Sequence, residues 1–202
     1  MKLYDSTMAP NPRRVRIFLA EKGLDVPTVQ VDIGKAENRA APFLAMNPFG
    51  GVPVLELDDG THISESVAIC RYFEVLHPAP PLMGTDARDQ ALVEMWQRRM
   101  ELDLFASATG SFRHTHDFFK GRIEQVPEWG AVCKRAAERR LAWLDGELAG
   151  RPFVAGERYT IADITALCAV DFSRVTGIRI QPDQKHLQRW HEAVSSRPSA
   201  RA

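Results

Sequence analysis

Ser64-Glu65-Ser66 stands at the start of a helical pattern, directly after a hairpin. A helix N-terminus presents unpaired N–H groups and about half a positive charge, so it receives a carboxylate well. Ser66 can add a hydroxyl donor to the same oxygen, while Glu65 can take an ammonium. An α-amino acid head group carries both charges. The plainer reading makes Ser64 an N-cap and Glu65 a favourable first-turn acid. Upstream lies Asn47-Pro48-Phe49-Gly50-Gly51-Val52-Pro53-Val54-Leu55, where Pro53 begins a strand although proline cannot donate to a ladder. Either this is an edge strand, or a cis Val52-Pro53 bond turns the Val52 backbone outward, where it can pair with an extended peptide.

Other chemistry-bearing residues are less telling. His114 and His116 are two apart and diverge on a helix, which argues against a shared metal. Cys70, Cys133 and Cys168 are scattered singly among apolar neighbours, without metal or redox spacing, and read as buried, reduced thiols. Arg13, Arg14 and Arg16, like Lys134-Arg135 with Arg139-Arg140, read as solvated faces. Met95, Trp96, Arg99 and Leu102 share a helix face that is either core or exposed to a cleft or a partner.

These residues need elements to position them, and the period of the pattern changes repeatedly over residues 1–78. Lys2–Asp5 is a short strand; a helix including Val15, Ile17, Phe18 and Leu19 closes at Gly23; Val29, Val31 and Ile33 alternate as a strand. A short helix precedes Asn47-Pro48, a hairpin turns at Asp59-Gly60, and residues 64–77 are helical again. Residues 79–86, rich in proline and glycine, read as a linker. Beyond it, in residues 87–202, strand signals nearly vanish: long helices over 86–119, with a kink near Thr109-Gly110, and over 129–148 precede an all-round apolar helix over 161–175. The expected fold is an α/β domain of order βαβαββα followed by an all-α domain.

Composition removes several functions. The chain has 202 residues with 26 Lys+Arg against 26 Asp+Glu, a balance that argues against a bulk nucleic-acid binder. No apolar stretch approaches the roughly 20 residues that span a bilayer, and an acid at Asp5 interrupts any secretory signal, so a cytoplasmic, non-membrane protein is expected.

The strand order, Asn-Pro-x-Gly-x-Val-Pro-x-Leu at 47–55, Glu-Ser-x-Ala-Ile at 65–69 and the proline-rich linker together resemble the cytosolic glutathione transferases over nearly the whole chain. Thr160-Ile161-Ala162-Asp163 is similar to that family's capping box, with Tyr159 and Ile164 placed for a staple. Trp190 and Arg197-Pro198-Ser199 fit its terminal helix pattern. The resemblance implies a thioredoxin-like first domain that binds glutathione as cosubstrate without a metal, a helical second domain that forms the electrophile pocket, and a homodimer. It further implies that Glu65 and Ser66 hold the glutamyl head and that the Val52 backbone, beside Pro53, pairs with the cysteinyl unit. Asn38 lies where theta- and delta-type relatives carry a glycine-carboxylate His, and Lys35 can supply charge; their alternative is an exposed loop. Phe49 matches an aromatic key inserted into a partner subunit, or else packs in its own loop.

The resemblance also implies a donor that activates the glutathione thiol. A thiol with pKa near 8.5 is a few per cent ionised at neutral pH, so half-ionisation needs about 2 kcal/mol. One hydrogen bond to a charged acceptor supplies about 1.5–3 kcal/mol, so a single donor suffices. In the family it lies between the first strand and first helix, here Ser6-Thr7-Met8-Ala9-Pro10-Asn11-Pro12. The pattern is that of bacterial, theta- or nu-like members with Ser-Pro-Asn, except that Ala9 replaces the serine. Asn11 is favoured, as cap of a helix with Pro12 at its first position and as thiolate donor, over Thr7, Ser6 or a water held by the helical domain. Glutathione-dependent peroxidase, dehalogenase or isomerase activity, or a non-catalytic binding module, are the alternative functions.

Overall fold

The computed structural model describes all 202 residues, which divide into two compact units, residues 1–82 with 198–202 and residues 83–197. The division falls inside the expected linker, but the last five residues join the first unit instead of the helical one.

In the first unit, β1 (Lys2–Asp5), β2 (Thr28–Gln30), β3 (Val54–Glu56) and β4 (His62–Ser64) form a mixed sheet of order β2-β1-β3-β4. β1 and β2 are parallel, while β3 runs antiparallel to both β1 and β4. The helices are α1 (Pro10–Glu21), α2 (Ala41–Met46) and α3 (Ser66–Leu76), giving the order βαβαββα. Leu3, Val54 and Leu55 are fully buried with Val15, Ile17 and Phe18 of α1 and Ile69 and Cys70 of α3, the 3.6-residue stripes that the sequence displays. The alternation through Ile33 overstates β2, which ends at Gln30 and leaves Val29 40% exposed. Tyr4 meets Val54 and Val54 meets Ser64, so the loop after β1, the approach to β3 and the turn after β4 all emerge at one end of the sheet.

The second unit comprises α4 (Ala87–Arg98), a π-helical stretch over Arg99–Phe105, α5 (Ala106–Thr115), α6 (Pro127–Glu147), α7 (Ile161–Ser173) and α8 (Lys185–Ser195). The irregularity expected at Thr109-Gly110 falls instead at Arg99–Phe105. Gly110 serves close packing: a Cβ there would lie 2.8 Å from the Cys133 sulfur of α6. α7 is buried along nearly its whole length and opens with the expected capping box between Thr160 and Asp163. The Asp163 carboxylate also accepts from Val154 N (2.8 Å) and Trp190 Nε1 (2.9 Å), tying the box to α8. Trp96 is core, stacked on Trp143, whereas Met95 and Leu102 are exposed. His114 and His116 accept backbone N–H bonds from Val126 and Phe118, both at 3.1 Å. No helix is long and apolar enough to cross a membrane.

Candidate functional site

α3 begins without a side-chain cap. Ser64 ends β4, and the N-cap is Glu65, whose side chain makes no capping bond, so the plain cap reading of Ser64 fails. The first intrahelical bond runs from Ile69 N to Glu65 O, which leaves the opening N–H groups of the helix available. Glu65 has φ 69° and ψ 113°, a backbone state that a non-glycine residue reaches at a cost of about 1–3 kcal/mol. Its side chain is exposed, so no buried packing holds it there. Ser66 is 5% exposed and its Oγ accepts from Arg14 Nη1 at 2.6 Å.

The approach to β3 is built by Asn47, buried at 2% exposure. Its side chain donates to Gly51 O (2.9 Å) and accepts from Phe49 N (3.2 Å), while its carbonyl accepts from Gly50 N (2.8 Å). Gly50 has φ 63°, and a Cβ there would sit 2.8 Å from Asn38 O, so both conformation and space demand glycine. Val52-Pro53 is cis. Val52 precedes the first ladder residue of β3, Val54, and its side chain packs on the cluster of Val31, Phe43 and Val54.

Asn38 donates its amide to Gly50 O at 2.7 Å, so one of its two amide protons serves the loop. Lys35 is exposed and paired with Asp32 at 3.4 Å; the Lys35 N–H holds the Asp32 carboxyl below the usual carboxylate range. Arg39, which sequence reasoning passed over, donates to Phe49 O (3.1 Å) and brings a second cation to this rim. Phe49 is 81% exposed, so it does not pack in its own loop.

The loop after β1 is pinned from below. Arg16 Nη1 donates to the buried Asp5 carboxylate (2.6 Å), Gln30 Nε2 donates to its other oxygen (2.7 Å), and Gln30 Oε1 accepts from Thr7 N (3.3 Å). Ser6 is 4% exposed and its carbonyl accepts from Ala9 N (3.0 Å). α1 starts earlier than the sequence suggests: Ala9 is the N-cap and Pro10 the first helical residue, so Asn11 does not cap but lies in the first turn. Ala9 offers no capping bond, Pro10 and Pro12 lack N–H groups, and Arg13 N reaches back to Ala9 O at 3.4 Å. Asn11 therefore carries the one open backbone donor of this turn, and its exposed amide adds two more.

The three arginines read as solvated do structural work. Arg14 is 1% exposed against Ser66, Arg16 pairs with Asp5, and Arg13 donates to Ala200 O at 3.1 Å. A cation run is indistinguishable from a solvated face until the helix's buried side is known.

The fold has counterparts among known proteins. Residues 9–76 match the glutathione S-transferase N-terminal domain and residues 130–198 the C-terminal domain. Glutathione S-transferase 2 of Saccharomyces cerevisiae is 35% identical over 205 residues, covering 100% of this chain and 88% of that protein. A glutathione S-transferase domain-containing protein of Marinobacter aquaeolei VT8 shares 39% identity and superposes with a TM-score of 0.95, covering 98% of this chain and 99% of that one. Gtt2 of Saccharomyces cerevisiae superposes at 0.95 with 34% identity, covering 100% and 99%. With likeness of this degree running through both units, the chain belongs to the glutathione S-transferase family.

Proposed function

We propose that the protein binds glutathione along the sheet end bearing Val52-Pro53, ionises its thiol and directs the thiolate onto a small hydrophobic electrophile. The supporting observation is the uncapped start of α3 beneath Glu65, an exposed acid held in a costly backbone state beside the buried Ser66. The helix end and Ser66 receive the glutamyl carboxylate, and Glu65 takes the ammonium. The Val52 backbone pairs with the cysteinyl unit. Asn38, with Arg39 and Lys35 as nearby cations, faces the glycine end of the peptide.

Asn11 is the proposed thiolate donor, through its amide and its open backbone N–H, at a helix end whose partial charge favours an anion. Ser6 and Thr7 are the remaining hydroxyls of the loop; Ser6 is buried, and Thr7 is anchored through its N–H. Once the thiol is ionised, proximity and orientation supply most of the acceleration. The protein would act in the cytoplasm as a homodimer, with the exposed Phe49 a candidate side chain for the contact. Among subtypes, the loop fits nu-like members that use an asparagine.

Isothermal calorimetry with glutathione, followed by ultraviolet absorbance of the complex at neutral pH, tests this reading. Binding together with a thiolate band supports a transferase. Binding without a thiolate band supports a non-catalytic module, and no binding at millimolar peptide removes the site.

A further inference from the structure

We propose that Gln30 is a positioning residue for thiol activation: its side-chain amide braces the turn that leads into α1 and so holds the Asn11 donor in place. This rests on the assignment of Asn11 as thiolate donor given above. Gln30 closes β2 and lies beside Asp5, the last residue of β1, in the parallel ladder. Parallel neighbours present their side chains to the same face of the sheet, which brings the Gln30 amide against the Asp5 carboxylate. Nε2 donates to Asp5 Oδ2 at 2.7 Å, and Oε1 accepts from Thr7 N at 3.3 Å. A carboxylate only accepts and a backbone N–H only donates, so the amide can be turned one way. Asp5 is 1% exposed, and each of its oxygens takes one donor, from Arg16 and from Gln30. A bond to such a paired carboxylate is of the stronger kind. Gln30, otherwise exposed, is thereby held in the orientation that offers its oxygen to Thr7.

The chain beyond Asp5 needs this brace. Ala9 N donates to Ser6 O, which closes a turn with the exposed Thr7 and Met8 at its centre and leaves the Thr7 N–H outside the turn's own bond. Directly after it, α1 starts without an anchor: Ala9 makes no capping bond, and Pro10 and Pro12 have no N–H. A helix end of this kind frays. The buried side of α1 begins at Pro12, so packing holds the helix from there onward, while Pro10 and Asn11 precede it. The placement of Asn11 then rests on the chain that enters the helix, and Gln30 fixes that chain at Thr7, two residues past the end of β1. Gln30 acts at a distance from the sulfur, through the turn and never on the ligand.

Gln30→Met keeps the length of the side chain and removes both polar contacts. Its glutathione complex, titrated by thiolate absorbance, should show a midpoint raised by about 0.5 to 1 unit, which is about three- to tenfold less thiolate below the midpoint. Its calorimetric affinity for glutathione at about pH 5, where the free thiol is protonated, should change less than about twofold. An unchanged midpoint overturns the proposal. So does a raised midpoint with an equal loss of affinity at that pH, because Gln30 would then support the binding site as a whole. Should circular dichroism show Gln30→Met unfolded, amide hydrogen exchange of the unaltered protein decides. A Thr7 N–H that exchanges at least about threefold slower than in an unfolded chain supports the brace, and an unprotected Thr7 overturns it. A midpoint equal to that of free glutathione in the unaltered protein removes thiol activation together with this proposal, whereas a lowered midpoint shared with Gln30→Met removes Gln30 alone.

Discussion

Glu65 is an exposed acid in a backbone state that glycine would adopt freely, and the proposed glutamyl site gives that acid a use. Glu65→Gly should therefore leave thermal stability unchanged or raise it by up to about 1 kcal/mol, while weakening glutathione binding at least about tenfold. A loss of more than about 2 kcal/mol in urea unfolding would instead make Glu65 a structural residue. At this scale the sequence was legible at Pro53, where the cis bond was one of two readings of a proline at a strand entry. It was misleading where surroundings decide: Arg14 and Arg16 look like surface cations, yet one is enclosed against Ser66 and the other pairs with a buried Asp5. Asn11 lost its cap, because Pro10 can start the helix as readily as Pro12.

Elements were legible in kind and order, since the periods of 2 and 3.6 follow from which face is buried. Their irregularities were not. A glycine marks a kink only when nothing else needs the space, and Gly110 is taken up by the Cys133 sulfur. Gly110→Ala should cost about 1–3 kcal/mol by overpacking, and Cys133→Ala in the same chain should return most of it. Additive losses in thermal denaturation would contradict this contact. At the start of α7, burial pushes the Asp163 carboxyl up to about 6, against donors from Val154, Trp190 and Thr160 that pull it down. A carboxyl that is harder to ionise when folded binds more protons in the native state between about pH 4 and 6, so its contribution to stability falls as pH rises through that window, by about 3 kcal/mol in all. Asp163→Asn sets an amide NH₂ against a backbone N–H and should cost about 1–3 kcal/mol at pH 4. It should also abolish this part of the slope; equal pH dependence of stability in the two proteins between about pH 4 and 6 would contradict the enclosed carboxyl.

At the scale of the whole molecule, the sequence shows two units because a proline-rich stretch separates two patterns. It does not show that the chain returns at its end. Ser199 donates to Glu21 and Ala200 accepts from Arg13, both on α1, and Ser199 and Ala200 are buried, so residues 198–202 belong with the first unit despite following the helical one. Deleting them should lower the stability of the first unit by about 1–3 kcal/mol, read as faster hydrogen exchange in α1, with the second unit's protection unchanged. Equal exchange in α1 of both proteins would contradict that tie. The central claim, that this scaffold ionises a bound thiol from the start of α1, is tested most directly by titrating the thiolate absorbance of the glutathione complex against pH. The expected midpoint lies at least about one unit below that of free glutathione and returns toward the free value in Asn11→Ala; a midpoint equal to the free thiol's in the unaltered protein would contradict it.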